Sequence, residues 1–149
     1  MLEPMKDLNL LCFDFGNQRI GVAFGSQSHV QPTELPPLPA RDGIPRWIEL
    51  DQLVDHWQAQ AFVVGIPYNM DGSISLMAYR ARKFANRLAV RYQFPCYVID
   101  ERLSSYEAKQ EQLQNQGKWQ HRRIDGVAAR LILQSWYQQS DHKLAQQPL

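Results

Sequence analysis

Apolar residues in this chain fall into short unbroken runs separated by stretches of helical period. The run L-N-L-L-C-F-D-F, 8–15, followed by Gly16 and Asn17, reads as a mostly buried strand ending in a turn. R-I-G-V-A-F-G, 19–25, then reads as the return strand of an antiparallel hairpin, and Gly21 within it marks close packing or a bulge. Between Gln31 and Pro45 five prolines exclude regular helix and leave at most a short edge strand. Trp47, Ile48, Leu50, Val54 and Trp57 recur at helical spacing within Ile44 to Gln60, and A-F-V-V-G-I-P is a wholly apolar strand of the kind covered on both faces. Y-N-M-D-G-S is a turn able to cap a helix from about Ile74 to Tyr92. P-C-Y-V-I-D is another buried strand, and S-S-Y-E, with Ser104 and Glu107 three apart, fits the box that opens a helix, here to about Gln114. A polar loop, N-Q-G-K-W-Q-H-R-R, leads to a last helix whose Ile124, Val127, Ala128, Leu131, Ile132, Ser135 and Trp136 form one buried stripe.

An antiparallel start followed by alternating helices and strands implies a mixed sheet covered by helices, an α/β domain. The 149 residues suit one domain, expected over 1–142, with 143–149 a disordered tail. No stretch approaches the roughly eighteen apolar residues needed to span a bilayer, and M-L-E-P-M-K-D-L carries acids where a signal peptide needs bases. A soluble cytoplasmic protein with no membrane partner is the expectation. Cys12 and Cys96 lie in apolar runs, where reduced thiols act as small core groups. His29, His56, His121 and His142 show no ligand spacing.

The net charge of +1 hides an asymmetry: residues 1–60 carry four bases against eight acids, net −4, and residues 61–149 twelve bases against seven acids, net +5. The bases concentrate in Y-R-A-R-K-F-A-N-R-L-A-V-R and in K-W-Q-H-R-R. Such tracts are solvated faces or contacts for a polyanion.

Asp14 is the anomaly, because an isolated carboxylate in an apolar strand costs several kcal/mol unless something answers it. Asp100 and Glu101 close the last strand, and Asp125 opens the last helix. Each has a plain reading: a helix-terminus charge for Asp125, a turn acceptor for Asp100, an ion pair with Arg102 or Arg123 for Glu101, and Arg19 across the hairpin from Asp14. Together they could converge on the rim where the carboxyl ends of parallel strands meet. Two or three carboxylates suit magnesium or manganese, and two such ions about 4 Å apart can clamp a phosphodiester. Side chains alternate along the strand, so only one of Asp100 and Glu101 faces such a site.

Four motifs in order, D-F-G-N-Q-R-I-G-V-A, V-V-G-I-P-Y-N-M-D-G-S, D-E-R-L-S-S-Y-E-A and I-D-G-V-A-A-R-L-I-L-Q-S-W, resemble the YqgF/RuvX family of the RNase H-like superfamily, over about Leu10 to Tyr137. The resemblance implies a mixed five-stranded sheet with its first three strands antiparallel, flanked by helices. It implies catalytic and metal-binding acids at Asp14, at the D-E-R motif, where Glu101 is favoured, and at Asp125, holding one or two Mg²⁺ or Mn²⁺ ions. It also separates the strands of Cys12 and Cys96 by a third, which excludes a disulfide between them. The family commonly has Thr-Lys where Asn17-Gln18 stand, and an Asp after the second strand where Ser26-Gln27 stand.

The implied activity is a metal-dependent nuclease on structured nucleic acid: pre-16S rRNA 5′-end processing in ribosome biogenesis, on free pre-rRNA or on the small ribosomal subunit, with Holliday junction (branched DNA) cleavage as the alternative. Arg19, Arg82, Lys83, Arg102, Arg122 and Arg123 are the candidate phosphate contacts. The chain would act as a monomer or homodimer. A non-catalytic nucleic-acid-binding module is the alternative of another class, and an actin-like ATPase would need two such domains.

Overall fold

The computed structural model describes residues 8–26, 31–101, 121–139 and 143–145, the side chains of 121–125 excepted. The predicted hairpin forms from β1 (Leu10–Asp14) and β2 (Arg19–Gly25), antiparallel with Asp14 opposite Gly21. β3 (Thr33–Arg41) and β4 (Ile44–Pro45) follow, then α1 (Trp47–His56), β5 (Ala61–Ile66), α2 (Leu76–Tyr92), β6 (Cys96–Asp100), α3 (His121–Gln138) and β7 (Lys143–Leu144). The sheet order is β4-β3-β2-β1-β5-β6-β7. β1, β2 and β3 are antiparallel, whereas β1, β5 and β6 run parallel.

Among the described residues the sheet therefore has seven strands where five were expected. The two additions are two-residue edge pairings, β4 on β3 and β7 on β6. The first is made by Asp42 (φ 51°) and Gly43 (φ 78°), the consecutive left-handed pair of a tight hairpin turn, for which Asp-Gly is a recognised signal. The second corrects the expected disordered tail at 143–145: β7 pairs with Tyr97 and Val98, the Ala145 N–H donates to Cys96 O (2.7 Å), and Ala145 is buried. β3 also exceeds the short edge strand that its prolines suggested, reaching nine residues. Its register with β2 passes from Ile20↔Leu38 to Val22↔Leu35, so Pro36 and Pro37 stand together opposite Gly21. The bulge places both missing donors where no ladder bond is required.

Alternation divides the core between the two faces of the sheet. Leu11, Phe13, Val22, Phe24, Phe62, Val64 and Val98 pack under α1 and α2, with Ala81, Phe84, Ala85 and Leu88 of α2. Leu10, Cys12, Ala23, Val63 and Ile99 pack under α3 through Ala129, Ile132, Leu133 and Trp136. Gly25 permits that closeness, since a β-carbon there would lie 2.7 Å from Leu133 Cδ2. α2 begins at Ser75, whose hydroxyl accepts from the Ala78 N–H (3.0 Å), and ends at Gln93 in the left-handed conformation (φ 57°). α3 starts at His121, taking in residues expected in the preceding loop, so Asp125 sits in its second turn rather than its first. The helix expected over 104–114 lies outside the described residues.

Candidate active site at the carboxyl ends of the central strands

Asp14 ends β1 in register with Gly21 on one side and Gly65 on the other. Paired residues share a face, so the strands flanking Asp14 present no side chain beside it. That face is the α3 face, because Leu10 and Cys12 of the same strand pack there. Asp14 is 6% exposed, a buried carboxylate at the end of its strand.

Glu101 follows β6 directly, and its N–H still donates to Ile66 O (3.2 Å), so the alternation of the strand extends to it. Tyr97 and Ile99 belong to the α3 face, and Glu101 joins them, whereas Asp100 alternates to the side of Cys96 and Val98. Glu101 is 8% exposed. Its carboxylate lies over Gly65: a β-carbon on that glycine would stand 2.5 Å from Glu101 Oε2 and 2.8 Å from Ile132 Cδ1. Adjacent strands are about 4.8 Å apart, so the carboxylate of Glu101 is about one strand spacing from Asp14. Cys12, two residues before Asp14, registers both groups. Burial first, then the negative charges of Asp14 and Glu101, push its thiol pKa well above the ordinary value, so the thiol stays protonated and unreactive. Cys12 and Cys96 are both free, on strands separated by β5 and on opposite faces.

Arg19 opens β2 and, by the alternation that puts Ala23 under α3, lies on the same face as Asp14. Asp125, Arg122 and Arg123 lie on α3, but their side chains are outside the described residues, as is the whole of Arg102. Further along α3 the chain approaches the sheet closely, with the Gly126 β-carbon position 3.5 Å from Glu34 Cβ, and Arg130 Nε donates to Glu34 Oε1 (2.8 Å). Arg82 is directed elsewhere, its Nη2 donating to Ala145 O (3.0 Å), and Lys83 is exposed on α2. Of the residues where this chain departs from the resembled pattern, Asn17 accepts from Arg80 Nη1 (2.9 Å) in the turn after Asp14. Ser26 is buried at the far end of the hairpin, away from the acids.

The motifs held a signal for Glu101 and none for the paired glycines, since Gly21 and Gly65 are 44 positions apart in the chain and only the register of β1 makes them neighbours. Asp14 and Glu101 are hard oxygen donors, buried, on one face and within reach of a common ion, and these two residues fit a divalent cation. Among the described residues no helix is long and apolar enough to cross a membrane.

Residues 8–139 match the family model RuvX, described as Holliday junction resolvase. A Chromohalobacter salexigens protein named "Putative pre-16S rRNA nuclease" is 48% identical over 130 residues, 86% of this chain and 88% of its own. Proteins of the same name from Coxiella burnetii and Pseudomonas putida are 40% and 43% identical, covering 94% and 89% of this chain and 99% and 96% of theirs. Among solved structures, Thermus thermophilus RuvC shares the fold at 10% identity with a TM-score of 0.53, and RuvC in complex with a Holliday junction substrate does so at 11% with 0.55, each over 92% of this chain and 99% of the other. The match across nearly all of the described fold, with relatives at 40% identity and above, makes this chain a member of the RuvX family.

Proposed function

We propose that the chain is a divalent-metal-dependent nuclease that hydrolyses phosphodiester bonds in structured nucleic acid, with the 5′ region of pre-16S rRNA as its principal substrate. The observation that carries the reading is the pair of carboxylates, Asp14 and Glu101, buried side by side on the α3 face above two glycines. Two like charges this close in a poorly solvated place repel, and a divalent cation converts that repulsion into coordination. Asp14, Glu101 and, from α3, Asp125 would hold Mg²⁺ or Mn²⁺. When bound, the ion supplies a water activated for attack and a counter-charge for the cleaved phosphate.

The residues themselves fix the geometry. β1 and β6 are held on either side of β5 by parallel ladders, which fix the spacing of the backbone that carries Asp14 and Glu101. α3 closes one side and excludes water from the inner end of the site. Arg19, on the same face, would meet a substrate phosphate, and Arg102, Arg122 and Arg123 would meet the flanking phosphates. The names of the relatives favour rRNA; the RuvX description and the RuvC fold favour branched DNA as the second reading.

The test is a cleavage assay with precursor rRNA and with four-way DNA junctions, in Mg²⁺, in Mn²⁺ and in chelator. The wild-type protein should cut the rRNA only with metal, and Asp14→Asn and Glu101→Gln should each abolish cutting while keeping the native circular dichroism and melting profile. An Asp14→Asn protein that cuts at the wild-type rate would make Asp14 a structural residue and remove the centre of the reading.

A further inference from the structure

The outward face of α2 is cationic and apolar at once. Residues 76–92 contain five bases and no acid. Three of the five hydrogen-bond within the chain: Arg80 with Asn17 Oδ1, Arg82 with Ala145 O, and Arg91 in a two-pronged pair with Asp51 (3.0 and 2.7 Å). Arg80, Lys83 and Arg87 are spaced three and four apart and so aligned in one stripe. None of the three has a carboxylate partner among the described residues. The stripe starts at the active-site rim, where Arg80 is tied to Asn17 in the turn after Asp14, and Arg80 to Arg87 spans about 10 Å down the helix. Beside it runs a groove of about 650 Å³ between α1 and α2, lined by Lys83, Arg87, Val90 and Trp47, with the Arg91 guanidinium over the Trp47 ring (5.1 Å) and Val90 70% exposed.

We infer that this groove and stripe bind a single-stranded segment of polynucleotide that continues from the active site round the β1–β2 turn. Phosphates would lie on Arg80, Lys83 and Arg87, and unstacked bases against Val90 and the Arg91 guanidinium stacked on Trp47. A cationic edge beside an aromatic floor is the arrangement that holds single strands; a duplex offers only its phosphates and leaves the apolar floor uncovered. α2 also lies on the sheet face opposite the carboxylates, so a strand touching both must bend sharply at the turn, which a single strand does at low cost. A second copy of this chain is disfavoured, because it would set the three cations against their own kind. The inference rests on the nuclease reading only for the presence of the strand.

The experiment uses the full-length Asp14→Asn protein, whose binding is measured by fluorescence anisotropy over a salt series. Three RNAs are compared: a blunt hairpin, the same hairpin with a single-stranded extension of about ten nucleotides, and the extension alone. Introducing Lys83→Gln with Arg87→Gln should weaken binding of the two RNAs with single strand at least tenfold. It should also flatten the slope of log K against log salt by about 1.4, at about 0.7 per cation for a single strand, and leave the blunt hairpin nearly unaffected. Arg87→Lys should keep the slope. An unchanged slope, equal weakening of all three RNAs, or sedimentation showing a dimer that the double substitution dissociates would each overturn the inference. Absence of metal-dependent cleavage by the wild-type protein would sink the nuclease reading instead, and either result can occur without the other.

Discussion

At the scale of single residues, the site depends on a side chain that is missing. Gly65 lies between Asp14 and Glu101 in the sheet, and the space its β-carbon would take holds the Glu101 carboxylate and the tip of Ile132. Gly65→Ala should displace both, costing about 1–3 kcal/mol of stability through overpacking and lowering metal-dependent cleavage at least tenfold, with Mn²⁺ affinity measured by calorimetry falling in parallel. A variant that bound Mn²⁺ and cut normally would show that the Glu101 position is irrelevant to the chemistry. The two thiols give a second residue-scale expectation. Burial pushes both thiol pKa values up, and at Cys12 the charges of Asp14 and Glu101 add to the effect. A thiol reagent should therefore label neither in the native protein and both once it is unfolded; rapid native labelling of Cys12 would contradict its burial.

At the scale of elements, α1 and α2 are joined through Asp51. Arg91 donates two hydrogen bonds to it and the Tyr92 hydroxyl a third, and these hold the Asp51 carboxyl below its ordinary pKa, Arg91 contributing most. A folded value below the unfolded one, about 3.9, means stability that is present above that pH and lost as pH falls through the folded value. Asp51→Asn should thus melt slightly lower than wild type at pH 7, and the difference should shrink as the pH falls through the folded value. The effect is small because both partners are about 40% exposed. A larger difference at acid pH than at neutral pH would refute the linkage. Ser75→Ala should cost α2 about 1 kcal/mol by removing its cap. The hydrophobic period announced α1, α2 and α3, but not β7, because two residues are too few to show alternation and their pairing depends on β6 lying at the edge.

At the scale of the molecule, the buried acids set function against stability. If Asp14 and Glu101 hold a cation, metal at about 100 times its dissociation constant should raise unfolding stability by about 2.7 kcal/mol. Asp14→Asn should lose that gain while melting, without metal, no lower than wild type; a wild-type protein indifferent to Mg²⁺ and Mn²⁺ would argue against the site. The sequence alone determined the mixed α/β character, the order of the main elements and the anomalous carboxylate in β1, since these follow from apolar period and from the cost of a charge in an apolar run, both local properties of the chain. The choice of Glu101 over Asp100 was open to alternation only as a choice of one. Which of the two faces α3 was settled by β6 lying parallel to β5 with Tyr97 and Ile99 turned toward Trp136. The burial of Asp14, the glycines on either side of it, and the route from Asn17 to the cations of α2 were decided by tertiary structure alone, because each joins residues that only strand register or helix docking brings within a few ångströms.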